Sequence, residues 1–98
     1  MRVYLSLGAD DLVALQAGEP VTPAEAFVAA SVDEEDELAA LEEAAEHGAV
    51  AAAAELDDPD GPVTLVDIDS LHVDTDDSGD LAWFATQEIA AVIEIVNR

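Results

Sequence analysis

Twenty-four Asp and Glu residues stand against two arginines and no lysine in a chain of 98 residues, a formal net charge of −22 at pH 7. Self-repulsion on that scale works against any compact state, so the apolar part of the chain must hold the fold together unaided by ion pairing. Hydrophobic residues make up 51% of the sequence, the share of a globular domain and too much for a disordered acidic tail. Twenty of them are alanine, however, and only 30 larger side chains remain to fill an interior. The length and this supply of side chains fit one domain with a thin core.

The same imbalance excludes whole classes of function. Nucleic-acid binders displace phosphate counterions with Lys and Arg, and here the two arginines, Arg2 and Arg98, lie at opposite chain ends. Direct partners among DNA, RNA and anionic membranes are therefore rejected. The longest unbroken apolar run, Ala49–Ala54, is far shorter than the ~20 residues of a membrane span. The N-terminal segment has no apolar signal core, so a cytoplasmic location is expected. Without cysteine the chain has no disulfide and no thiolate chemistry.

Residue patterns predict an α+β domain over residues 1–98, with the order β-α-β-α-β-β-β-α. Arg2–Leu7 alternates as a half-buried strand. Asp10 or Asp11 caps a short helix through Leu12, Val13 and Leu15 that ends near Gly18. Glu25–Ser31 reads as a second strand. From an N-cap at Asp33, the stripe Leu38, Leu41, Ala45, Ala49, Ala52 and Leu56 predicts a long helix, bent or split at Gly48. Asp57–Pro62 is a turn. Val63–Leu65, Leu71–Asp74 and Leu81–Ala85 read as strands, and Thr86 caps a last helix carrying Ile89, Val92, Ile93 and Val96. A small antiparallel or mixed sheet with the helices packed on one side fits this order.

Several of these segments carry a resemblance. Met1–Leu5, Ala26-Phe27, Glu37–Leu41, His72–Asp74 and above all Leu81–Ile89 (LAWFATQEI) resemble an uncharacterised family of small bacterial proteins that open MRVYLP and close with an LAWYATQEI-like segment. Ser6 stands where that family usually has proline, and the arginine-rich middle of its longer members is missing. The family has no assigned activity, so the resemblance implies a fold and brings no catalytic residues, cofactor or partner with it.

No nucleophile elbow, phosphate-cradling glycine pattern or metal-ligand spacing is present, and the chain is read as non-enzymatic and without a cofactor. Ser70, His72 and Asp74 are triad residue types, but at i and i+2 on one strand they merely share a face. His47 reads as a partner of a helix C-terminal dipole and His72 as a surface histidine. Asp74-Thr75-Asp76-Asp77-Ser78-Gly79 matches positions 1, 3, 5 and 6 of an EF-hand-like calcium loop, with Leu81 at the apolar position 8, yet Ala85 occupies the place of the bidentate glutamate; a solvated hairpin turn is the simpler reading, calcium the alternative. Of Trp83 and Phe84, which alternate on one strand, one belongs to the core and the other packs under a helix or marks a contact surface.

Two explanations remain for the charge itself. A domain of this length is roughly 33 Å across, so 22 charges along it give one per ~1.5 Å, close to the ~1.7 Å of duplex DNA. An acidic interaction protein, a DNA mimic that occupies the basic surface of a nucleic-acid-binding protein, is one explanation. Its surface would be Asp33, Glu34, Glu35, Asp36, Glu42, Glu43 and Glu46 on the long helix, Asp57, Asp58 and Asp60 in the first turn, and Asp74, Asp76, Asp77 and Asp80 in the second. Adaptation to concentrated salt or to solubility is the other, and requires no partner. A short sheet with open edges can also pair into a homodimer.

Overall fold

A computed structural model describes residues 2–23, 25–58, 60–76 and 78–97. The strands are β1 (Arg2–Leu7), β2 (Glu25–Phe27), β3 (Val50–Glu55), β4 (Ile68–Val73) and β5 (Ala82–Ala85). The helices are α1 (Ala9–Gln16), α2 (Glu34–Glu46) and α3 (Ile89–Val96). The sheet is antiparallel throughout in the order β2-β1-β3-β4-β5. The α+β class and the element order are those expected, and the overall extents of 34 × 31 × 20 Å match the size the length implies.

Two assignments change. The long helix stops at Glu46, and Val50–Glu55 (VAAAAE), expected as its second half, forms the central strand β3. Alanine favours helix by propensity, but here it lies between β1 and β4 with both faces covered, and packing overrides the preference. Gly48 makes the break: a methyl group there would lie 2.9 Å from the Leu7 nitrogen and 3.1 Å from its carbonyl oxygen. The buried Ser6 hydroxyl fastens the same corner, donating to the Ala44 carbonyl of the last turn of α2 at 2.6 Å. Conversely, Val63–Leu65 is no strand. Val63 makes an isolated bridge with Val21, and a 3-10 turn, Leu65–Asp67, follows it.

The helices also occupy both sides of the sheet instead of one. Val3, Leu5 and Leu7 of β1, with Ala52, Ala54 and Leu71, meet Leu12 and Leu15 of α1 and Ile89 and Val92 of α3 in the larger core. Alternation along the strands turns Tyr4, Ala51 and Ala53 the other way, onto Ala40 and Ala44 of α2. Alanine facing alanine lets α2 sit close to β3 without large side chains. The second strand is shorter than expected, Glu25–Phe27. At the end of α1, Gly18 takes φ +85°, the left-handed conformation its place after the helix demands.

Several acids act locally as caps. Asp11, Asp67 and Glu88 each stand three residues after the backbone N–H they accept from, that of Gly8, Thr64 and Ala85, at 2.9–3.0 Å. Asp11 therefore caps α1 from inside its first turn. Asp33 is the N-cap residue of α2 by position, while Ser31 donates its hydroxyl to Asp36 at 2.5 Å.

Candidate interaction groove

A five-stranded sheet needs two helices to cover a face, because strands repeat every ~4.8 Å and packed helix axes lie ~8–10 Å apart. The α1–α3 face has two. The other face has only α2, which lies across β2, β1 and β3. The β4–β5 ribbon lies beside it, with Trp83 exposed and paired to the half-buried His72, while Ser70, paired to Ala85, is buried.

The opening is a groove formed by three depressions of about 280, 330 and 300 Å³ that share lining residues. Its lining mixes the apolar Tyr4, Leu38, Leu41, Ala53, Leu81 and Trp83 with the polar Ser70 and His72. Leu38, expected in the buried stripe of α2, is 53% exposed, and Trp83 is 62% exposed. Their neighbours on the respective elements, Leu41 and Phe84, are partly buried against the two cores. Trp83 is thus the ring that faces outward, and Phe84 the one that packs inward. Glu34, Glu37, Glu42, Glu46, Asp74 and Asp80 border the groove along its length.

One end is closed by Arg2. Its guanidinium lies 3.0 Å from Asp69 and 3.5 Å from Glu55, and these are the ion pairs among the described residues. Asp69 reaches it because β4 bulges opposite Ala53 and Ala54, setting one residue of β4 outside the ladder. Hydrogen bonding to Tyr4, together with the attraction of Tyr4 and Asp69, raises the arginine further above its ordinary value. On the floor, Ser70 Oγ and His72 Nε2 are 2.9 Å apart. Burial pushes the His72 pKa down, and the positive charge of Arg2 adds to the effect. His72 is half-buried rather than a surface residue. His47 caps the C-terminal end of α2 with its ring stacked on Phe27, centroids 5.6 Å apart.

Of the three acidic clusters, two are brought together. Asp33, Glu34, Glu35 and Asp36 start α2, and Glu42, Glu43 and Glu46 follow along it. At its far end, Glu42 and Glu46 line the same depression as Asp74. The third cluster, Asp57, Asp58 and Asp60, follows β3 at the Glu55 end of the ladder, away from Glu46 and Asp74 but toward Arg2, which shares a depression with Glu34 and Glu37. Its flanking residues Leu56 and Val63 belong to the α1–α3 core. Asp77 lies outside the described residues.

The Asp74–Asp80 turn is closed by its own backbone. Asp74 accepts from the N–H groups of Asp76 and Gly79 at 3.2 and 2.9 Å, and Asp76 from that of Ser78 at 3.1 Å. Hydrogen bonding from Ser78 holds the Asp76 carboxyl below its ordinary range. Both oxygens of Asp74 are thereby directed into the turn and not toward His72. Among the described residues no three acids or histidines gather to hold a metal ion, and no helix is long and apolar enough to cross a membrane. Comparison with protein-family models, with curated proteins and with solved structures finds no match to this chain.

Groove residues other than the acids were only partly legible. The period-2 pattern of Leu81–Ala85 marks Trp83 and Phe84 as opposed. Which of them is covered depends on how many strands α2 spans, and no local pattern encodes that.

Proposed function

We propose that this is a non-enzymatic acidic interaction protein whose α2 side engages the basic surface of a protein partner, as a nucleic-acid-binding protein would present. The observation that supports it is the acidic border formed jointly by α2 and the Asp74–Asp80 turn around an exposed apolar strip. Charge draws a basic partner in, and the strip supplies contact area that charge alone lacks. DNA mimicry in the full sense needs the Asp57–Asp60 cluster as well, and its flanking residues Leu56 and Val63 pack into the core on the other side of the sheet. The proposal is therefore an acidic face, shorter than a duplex footprint.

Competition is the direct test. A fluorescent duplex bound to a purified histone-like protein is titrated with this protein at about 0.1 M salt, where exposed charges still interact over ~10 Å. Displacement is expected, weakening steeply with salt. Loss of Glu42, Glu43 and Glu46 to glutamine should weaken it severalfold, whereas loss of Asp57, Asp58 and Asp60 to asparagine should not. No displacement by the unaltered protein would discard the reading.

Salt adaptation is retained as a second reading on one observation. Asp10 and Asp11 on α1, Glu94 on α3 and Glu88 just before it place acids on the opposite side too.

A further inference from the structure

We infer that the open half of the α2 face is the seat of a basic amphipathic α-helix supplied by the protein partner. The inference rests on the acidic-interaction reading and names the form of the partner. The β4–β5 ribbon beside α2 is two strands, roughly 10 Å, wide, with Trp83 exposed on it above the buried Ser70, and a helix with its side chains is about 10–12 Å across. A helix laid there beside α2 completes the second helical layer, so that the sheet carries two helices on each side.

The chemistry of the strip specifies the occupant. Leu38 on one wall and Trp83 on the other, 53% and 62% exposed, offer apolar contacts to residues spaced i, i+3, i+4 and i+7 on an incoming helix. The rims are acidic on both sides, from Glu34, Glu37 and Glu42 of α2 and Asp80 of the β4–β5 turn, so the flanks of that helix are Lys- and Arg-rich. The nearby cation, Arg2, is already held by Asp69 and Glu55. A second copy of this chain would bring its own −22 onto the same rims, which disfavours it as the occupant. The groove runs beside α2, whose 13 residues extend about 20 Å.

The probe is a synthetic Leu/Lys peptide of about 14 residues, long enough to follow α2, with leucines on one helical face. Its partner control is a peptide of equal composition with the leucines scattered. Trp83, the single tryptophan, reports coverage by a blue shift of its emission. The faced peptide is expected to bind at about 0.1 M salt, to gain helical dichroism and to shift Trp83. Leu38→Asn should weaken it about tenfold and Trp83→Ser, read by calorimetry, by a similar factor. Val13→Asn, a 50% exposed position on α1 across the sheet, should leave affinity within about twofold.

Equal affinity for the scattered peptide with an unmoved Trp83 overturns the inference and leaves the acidic-interaction reading standing. Failure of both peptides, together with failure to displace DNA, removes the reading as well. A bound peptide that gains strand in place of helix overturns the inference, because the β5 edge is then the site. A dimer that shifts Trp83 emission in the absence of peptide overturns it too.

Discussion

Ser6 and Gly48 fix one corner of the molecule from two directions. The Ser6 hydroxyl satisfies a carbonyl at the end of α2, and the bare Cα of Gly48 lets the chain turn against Leu7. Ser6→Ala removes one of two donors to the Ala44 carbonyl, which keeps the His47 N–H at 3.3 Å, and should cost about 0.5–1.5 kcal/mol in urea melts. Thr22→Ala, at an exposed position, should stay within ~0.5 kcal/mol. Gly48→Ala drives a methyl into backbone atoms that no rotamer change can clear, with an expected loss of about 1–3 kcal/mol. His72 adds a pH dependence. Its folded pKa is depressed by burial and by Arg2, so the unfolded chain takes up a proton first as pH falls through about 6.5. The stabilising contribution is complete above that value and diminishes below it. Melting temperature followed from pH 7.5 to 5.5 should therefore fall less, or rise more, in His72→Asn than in the unaltered protein.

At the scale of elements, what could be read from sequence divides by how local its cause is. β1, α1 and α3 follow from period: Val3, Leu5 and Leu7 alternate inward, and Leu12 and Leu15 recur at helical spacing; the caps are less legible, since Gly8 is the N-cap of α1 and Thr86 opens a 3-10 turn that puts Glu88 at the N-cap of α3. The run Ala49–Ala54 has no such local answer. Its composition favours helix, and it becomes strand because β1 and β4 bracket it while α2 and the α1–α3 core cover its two faces. For the same reason Leu38 is not core: the apolar stripe from Leu38 to Leu56 runs through residues of different elements, with Leu38, Leu41 and Ala45 on α2 and Ala52 on β3. The acids of α2 were plain in the sequence, but the groove was not, since it arises from a missing helix. Small side chains between α2 and β3 are then a requirement rather than filler. Ala51→Leu should push α2 from the sheet and cost about 1–3 kcal/mol, against little effect for Ala39→Leu on the exposed side. The β4–β5 turn gives a separate check. With Ala85 in the place of the bidentate acid and the Asp74 oxygens already bonded to backbone N–H groups, millimolar calcium should raise the melting temperature no more than magnesium does, and a rise specific to calcium would revive the ion-binding alternative.

Over the whole molecule, the question is whether −22 acts as a coat or as a face. Spreading 24 carboxylates evenly over 5547 Å² would put neighbours roughly 15 Å apart, beyond the ~10 Å screening length at 0.1 M salt. An even coat would thus already be largely screened in ordinary buffer. The chain does not spread them evenly: Glu42, Glu43 and Glu46 sit within one turn of α2, and like charges at that spacing are about 5–6 Å apart. Residual repulsion is therefore concentrated on α2, at a few tenths of a kcal/mol per pair and roughly 1 kcal/mol in sum, worth about 4–8 °C in a domain of this size. The protein should be folded by circular dichroism at 0.1 M KCl and gain about that much on passing to 1 M, where screening shortens to ~3 Å. Glu42→Gln, Glu43→Gln and Glu46→Gln together should remove most of the gain. The same number of neutralised acids at Asp10, Glu19 and Glu94 should remove little. A chain that is unfolded in dilute buffer, with all six positions contributing alike, would make the charge an adaptation to salt. A salt response confined to α2 would mean that the crowding is borne at a stability cost on the face that also carries Leu38 and faces Trp83, as a binding surface requires.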